Sequence, residues 1–98
     1  MKAVLLTTDN EKKNIEIKSI RDLKSKICSD FYKSPMEIIH LENNSCLIID
    51  EDGEFKNLDF NEFATTIARD NNSISPSDYV FGNAILINDI DEFDMLDN

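Results

Sequence analysis

The segment Tyr79-Val80-Phe81-Gly82-Asn83-Ala84-Ile85-Leu86-Ile87 is almost wholly apolar, with Gly82 and Asn83 as its interruption. A strand without an alternating polar face cannot border water along its length, so it belongs in the middle of a sheet. The rest of the chain supplies its neighbours. Residues 3–6 form a short apolar run, a polar stretch from Asp9 to Lys12 turns the chain, and Asn14-Ile15-Glu16-Ile17-Lys18 alternates with period two, which together describe a β-hairpin. Residues 36–41 and 46–49 are a second extended pair, separated by Asn43-Asn44.

Helical spacing appears twice. Ser19 stands before Ile20 with Asp22 three residues on, so hydroxyl and carboxylate can each satisfy exposed N–H groups at a helix start. Ile20, Leu23, Ile27 and Phe31 then recur on one stripe, Arg21, Lys24 and Lys26 face water, and Pro35 ends the stretch. Asp50-Glu51-Asp52-Gly53-Glu54 is a turn, with Gly53 read as the residue at positive φ, followed by a short extension over 55–58. Asp59 is expected to cap a second helix, with Phe60, Phe63, Ala64, Ile67 and Ala68 on its buried face and Asp70-Asn71-Asn72 plus Pro76 stopping it.

The predicted order is β-β-α-β-β-α-β. Two helices are too few to cover both faces of a parallel sheet, so the expected class is α+β, a mixed β-sheet with two helices on one face. At 98 residues this is one domain, taken as 1–88, followed by an acidic tail at 89–98. The order is similar to the β-grasp arrangement of ubiquitin-like proteins, and residues 1–28 share its rhythm. That likeness implies a fold and no function, and a chain ending Asp94-Met95-Leu96-Asp97-Asn98 without Gly-Gly is not expected to be conjugated.

Charge narrows the partners. Of a net charge of -10, residues 1–49 carry 8 basic and 7 acidic side chains, or +1, and residues 50–98 carry 2 basic and 13 acidic, or -11. Such a field repels phosphate backbones and attracts surfaces rich in Lys and Arg, so direct nucleic-acid binding is not expected. No apolar stretch approaches the roughly 20 residues that cross a bilayer, and residues 1–6 lack the apolar core and cleavage signal of a secretory peptide. The chain is therefore expected in the cytoplasm, off the membrane, with Cys28 and Cys46 reduced.

Catalytic chemistry finds little to use. An EF-hand loop with Gly53 in its sixth place would put Ile48 in the first ligand position, which fails. His40 is the only histidine, so no two-histidine metal site exists, and a Cys-His nucleophile would need Cys28 or Cys46 to meet it in space. GxGxxG, GxxxxGK[ST] and GxSxG are all missing. No enzyme activity, cofactor or metal is expected.

The tail from Asn88 to Asn98 mixes five acids with Ile90, Phe93, Met95 and Leu96. It reads either as a solvating end or as a binding segment in which carboxylates steer and a buried Phe or Leu anchors. The candidate partner-binding residues are Asp50, Glu51, Asp52 and Glu54 in the turn, and Asp89, Asp91, Glu92, Phe93, Asp94, Leu96 and Asp97 in the tail.

From residue 2 to about 89 the chain resembles the domain of unknown function 3846, a family of short proteins of phages and Gram-positive bacteria. The points of likeness are Lys2-Ala3-Val4-Leu5-Leu6, the strand at 36–41, Leu47-Ile48-Ile49-Asp50-Glu51-Asp52-Gly53, Leu58-Asp59-Phe60-Asn61 leading to Ala64-Thr65, and Val80-Phe81-Gly82-Asn83-Ala84-Ile85-Leu86-Ile87. The resemblance implies a mobile-element setting without known chemistry, with Asn61, Gly82 and Asn83 as signature positions. Their local reading is structural: Asn61 bonds backbone near a helix start, and Gly82-Asn83 permit an irregular strand entrance.

Two functions follow as expectations. The first is a non-enzymatic counter-defence protein, whose acids occupy the basic, nucleic-acid-binding surface of a host nuclease such as a CRISPR effector or restriction enzyme. The second is a small-ligand module or sponge for a nucleotide signal, which needs Lys or Arg in its pocket. A structural or regulatory homo-oligomer stays open beside them.

Overall fold

The computed structural model describes residues 1–27 and 35–97; Cys28, Phe31, Ser34 and Asn98 lie outside the described residues. Its elements are β1 (Lys2–Leu6), β2 (Lys12–Glu16), α1 (Ile20–Ile27), β3 (Met36–His40), β4 (Cys46–Asp50), α2 (Glu62–Asp70), β5 (Ala84–Ile87) and α3 (Ile90–Asp94). The class is α+β in the expected order, with α3 added.

Local chemistry sets the element ends. Ser19 Oγ accepts the Asp22 N–H at 3.0 Å and the Asp22 carboxylate accepts the Lys18 N–H at 2.9 Å, so both expected caps form. That backbone bond is the main reason the Asp22 carboxyl is held below its ordinary range. Between β3 and β4 the chain reverses at Asn43-Asn44, each with φ of 58°, which asparagine tolerates better than other side chains. The helix α2 begins two residues later than expected: its N-cap is Asn61, whose Oδ1 accepts the Ala64 N–H at 3.0 Å, and Asp59 instead accepts the Gly82 N–H on its carbonyl.

The sheet order is β2-β1-β5-β4-β3, and every pairing is antiparallel rather than mixed. The physical reason is where the α2 excursion begins and ends. The chain leaves β4 at Asp50 and re-enters β5 at Ala84, which lies opposite Leu6 on β1. Both ends of the excursion meet at one end of the sheet, so β5 runs against both its neighbours. Gly53 marks the meeting. It does not adopt positive φ; it is glycine because a Cβ there would lie 2.6 Å from the Phe81 carbonyl oxygen. The left-handed residue near this turn is Asn57, and residues 51–57 turn without the extension expected at 55–58. At the other end of the excursion Gly82 has φ of 86°, so the strand begins at Ala84, and Phe81 contributes a single bridge to Phe60.

The helices lie on opposite faces, not on one. Ala3, Cys46, Ile48, Ile85 and Ile87 pack with Leu23 and Ile27 of α1 and Phe93 of α3. Leu6, Leu47, Ile49 and Ala84 pack with Ala64 and Ala68 of α2. Because β1, β4 and β5 carry apolar side chains on both faces, either face left bare would expose a core, and all five residues of β4 are buried.

Residues 89–97 belong to this folded unit. Phe93 is 8% exposed in the α1-side core, Leu96 packs against it, the Ile90 N–H donates to the Asn44 carbonyl, and the Ile20 N–H donates to the Asp97 carbonyl at 2.8 Å. Among the described residues no helix is long and apolar enough to cross a membrane.

Candidate functional site

The acids of the turn and tail do not share one fate. Asp50 is buried, its carboxylate 2.6 Å from the Lys56 ammonium and accepting the Asp52 N–H at 2.9 Å, so it closes the turn instead of facing a partner. Asp52 is half-buried, while Glu51 and Glu54 are exposed. In the tail Asp89 caps α3 by accepting the Asp91 N–H, and both aspartates accept from the Asn44 amide. Phe93 and Leu96 pack inward and are not offered as anchors; Asp91, Glu92, Asp94 and Asp97 remain exposed. The strand β4 separates the two acidic groups, with Asn44 before its start and Glu51 after its end, at least about 13 Å at 3.3 Å per residue.

Asn61, Gly82 and Asn83 hold backbone together. The fully buried Asn61 amide donates to the Leu6 and Gly82 carbonyls, each at 2.9 Å, while its oxygen caps α2. Asn83 Oδ1 accepts the Thr8 N–H at 3.1 Å. The same seam continues through the Asn61 N–H to the Val80 carbonyl (2.8 Å) and the Val80 N–H to Thr65 Oγ1 (2.9 Å). It therefore fixes the height of Tyr79 and Phe81 against α2.

Those two rings wall a cleft of about 290 Å³ on the α2 side of the sheet. Its floor is Ile39, Ile49 and Val80, all buried, and Ile74 closes one side. Its carboxylates are Glu37 from β3, Glu54 from the turn and Asp78 from the segment after α2. Strand register sets Glu37 directly opposite Ile49. Burial against this apolar floor, with repulsion from Glu51 and Asp78 added, pushes the Glu37 carboxyl above its ordinary range. Phe60 meets Tyr79 and Phe81 edge to face, Tyr79 and Phe81 are tilted by 49°, the three centroids lie 5.6 to 6.5 Å apart, and Tyr79 is 55% exposed. The Arg69 guanidinium lies 4.5 Å from the Tyr79 centroid and donates to the Asp78 carbonyl at 2.8 Å.

Of the sequence candidates only Glu54 lines this cleft. Glu37 and Asp78 were missed because they are 41 residues apart in the chain and meet only through the α2 excursion. The signal within reach was the alternation Glu37-Ile38-Ile39, which puts an acid on the same strand face as a core isoleucine.

His40 and Cys46 are strand partners. Cys46 is fully buried, and its thiol is pushed up to about 11, by burial first and then by the Asp94 carboxylate, so it holds little nucleophilic thiolate near neutral pH. Among the described residues no three His, Cys, Asp or Glu side chains converge to hold a metal ion. A second, shallower groove of about 480 Å³ lies along α2 at Phe63 and Ile67, with Lys12 set 4.7 Å from the Phe63 centroid. Comparison with protein-family models, with curated proteins and with solved structures finds no match, so the functional reading rests on these residues.

Proposed function

We propose that the chain is a non-enzymatic binding protein of the host-cell cytoplasm, made by a phage or related element, that occupies a basic, nucleic-acid-binding surface of a host nuclease by charge mimicry. The mobile-element setting rests on the resemblance described from the sequence. The mode of binding rests on one observation: the two cations of residues 50–98 are both engaged internally, Lys56 by Asp50 and Arg69 by Tyr79 and Asp78, while eleven carboxylates of the same residues stay exposed. Six of them, Glu51 and Glu54 in the turn and Asp91, Glu92, Asp94 and Asp97 in the tail, are candidate partner-binding residues that cap no helix, and among the described residues none of the six joins an ion pair. A surface of unneutralised carboxylates raises the local concentration of a cationic partner and loses that pull with added salt.

A nucleotide ligand gains less from this surface. The cleft presents three carboxylates, and among the described residues lining it there is no Lys or Arg for a phosphate.

The test is inhibition of DNA cleavage by the host's purified nucleases, with binding followed across ionic strength. The expected result is salt-sensitive inhibition that weakens when the six carboxylates are changed to Gln and Asn. Undiminished inhibition by the neutralised variant overturns charge mimicry, and no association with any basic nuclease at low salt overturns the binding reading.

A further inference from the structure

We propose that the cleft walled by Tyr79 and Phe81 receives the side chain of one arginine from a basic partner, its guanidinium set among Glu37, Glu54 and Asp78. This deepens the binding reading and rests on it.

The cleft selects its occupant by what it must satisfy. An apolar side chain would rest well on Ile39, Ile49 and Val80 but would bury carboxylates without a counter-charge, which is costly. An anion meets repulsion from all three acids. A cation with an apolar stem meets both demands, since the stem covers the floor and the head reaches the rim.

Arginine suits the walls better than lysine. Its flat, weakly hydrated head stacks on rings and pairs with a carboxylate through two N–H groups, whereas an ammonium keeps its water more tightly. The fold already places one guanidinium on this wall: Arg69 lies against the Tyr79 ring and bonds the Asp78 carbonyl. That contact uses the carbonyl of Asp78; its carboxylate accepts the Ser75 N–H on Oδ2 at 3.2 Å and keeps its other oxygen for the cleft. A second reason concerns rigidity. Thr65 and Asn61 clamp the Val80 backbone between the two rings, so the walls are in place before a ligand arrives and less ordering accompanies binding.

The measurement is an NMR titration of the full chain with three short blocked peptides, Gly-Ser-Arg-Ser-Gly and its lysine and citrulline counterparts. Citrulline keeps the shape of arginine and lacks its charge. Expected are saturating shifts at Glu37, Asp78, Tyr79 and Phe81 with the arginine peptide, weaker ones with lysine, and none with citrulline. The double variant Glu37→Gln/Asp78→Asn, verified folded by its amide spectrum, should bind the arginine peptide at least about tenfold more weakly. Equal response to citrulline, or undiminished binding by the double variant, overturns the arginine site.

The broader reading can fail or survive separately. If the peptide shifts only Asp91, Glu92, Asp94 and Asp97, the cleft assignment is wrong and the acidic-surface reading stands. If neither the peptide nor a basic nuclease binds at low salt, both fall.

Discussion

Replacing Asn61 with alanine should be among the most damaging single changes available in this fold, and the loss can be worked out bond by bond. The side chain is fully buried and makes three hydrogen bonds: it caps α2 through Ala64 and donates to the carbonyls of Leu6 and Gly82. Loss of the cap costs about 1 kcal/mol. Each carbonyl deprived of its donor adds about 1 to 2 kcal/mol, giving roughly 3 to 5 kcal/mol in all. That is a large share of the ~5 to 15 kcal/mol that holds a domain of this size. Equilibrium urea unfolding reads the difference directly, and the melting temperature should fall by more than about 12 °C. Asn61→Asp separates the contributions. It keeps the capping oxygen but offers no N–H to either carbonyl, so it should be at least as unstable as a variant that only keeps the cap, Asn61→Ser. A loss below about 1 kcal/mol for Asn61→Ala, or wild-type stability for Asn61→Asp, would refute the account.

Four further outcomes follow from the same structure. Lys56→Met leaves the Asp50 carboxylate buried without its cation and should cost about 3 kcal/mol, most of it recovered in Asp50→Asn/Lys56→Met; equal stability of single variant and wild type in urea would contradict the pairing. Gly53→Ala forces a Cβ against the Phe81 carbonyl and should cost about 1 to 3 kcal/mol by the same assay, whereas a stabilised protein would show that the turn and Phe81 are not in contact. Peptide-resolved alkylation at pH 8 should leave Cys46 unmodified until denaturant is added, and rapid native labelling would mean that α3 does not cover it. Because the folded-state pKa of Glu37 is raised, its ionised form opposes folding at neutral pH and that cost disappears as pH falls below the unfolded value; Glu37→Gln should therefore raise the melting temperature at pH 7 and lose its advantage in acid.

What could be read from the sequence was local. Ser19 and Asp22 announce a helix start because their partners lie within four residues, and Asn43-Asn44 announces a reversal because few other side chains accept two successive left-handed conformations. Strand direction was not local. Whether β5 pairs parallel or antiparallel depends on the end of the sheet at which the α2 excursion closes, and that is decided by the fit of Gly53 under Phe81 across 28 residues. The second covered face was implied by β4, which has no polar alternation, but an apolar run alone does not say which helix covers it. The tail misled through composition. Five acids hide the spacing of Phe93 and Leu96, whose packing goes with contacts to the Asn44 turn and the start of α1, both distant in sequence.

Two acids on neighbouring strands, one on each face of the sheet, are treated in opposite ways. Asp50, at the end of β4, is buried and matched to Lys56, the arrangement that a purely structural carboxylate requires. Glu37 is the strand partner of Ile49, the residue just before Asp50, yet it lies with Asp78 against an apolar floor, and its carboxyl is raised by burial first and then by repulsion from Glu51 and Asp78. A neutral or basic residue at position 37 would relieve the repulsion, so the ionised acid is held against the interest of folding. In the proposed complex, a cation among Glu37, Glu54 and Asp78 would convert this mutual repulsion into attraction on contact. The tail works in the same sense. By burying Phe93 and capping α3 with Asp89, the chain holds Asp91, Glu92 and Asp94 on a fixed turn, so the basic surface proposed as partner would meet charges already in position and less freedom would be lost on binding.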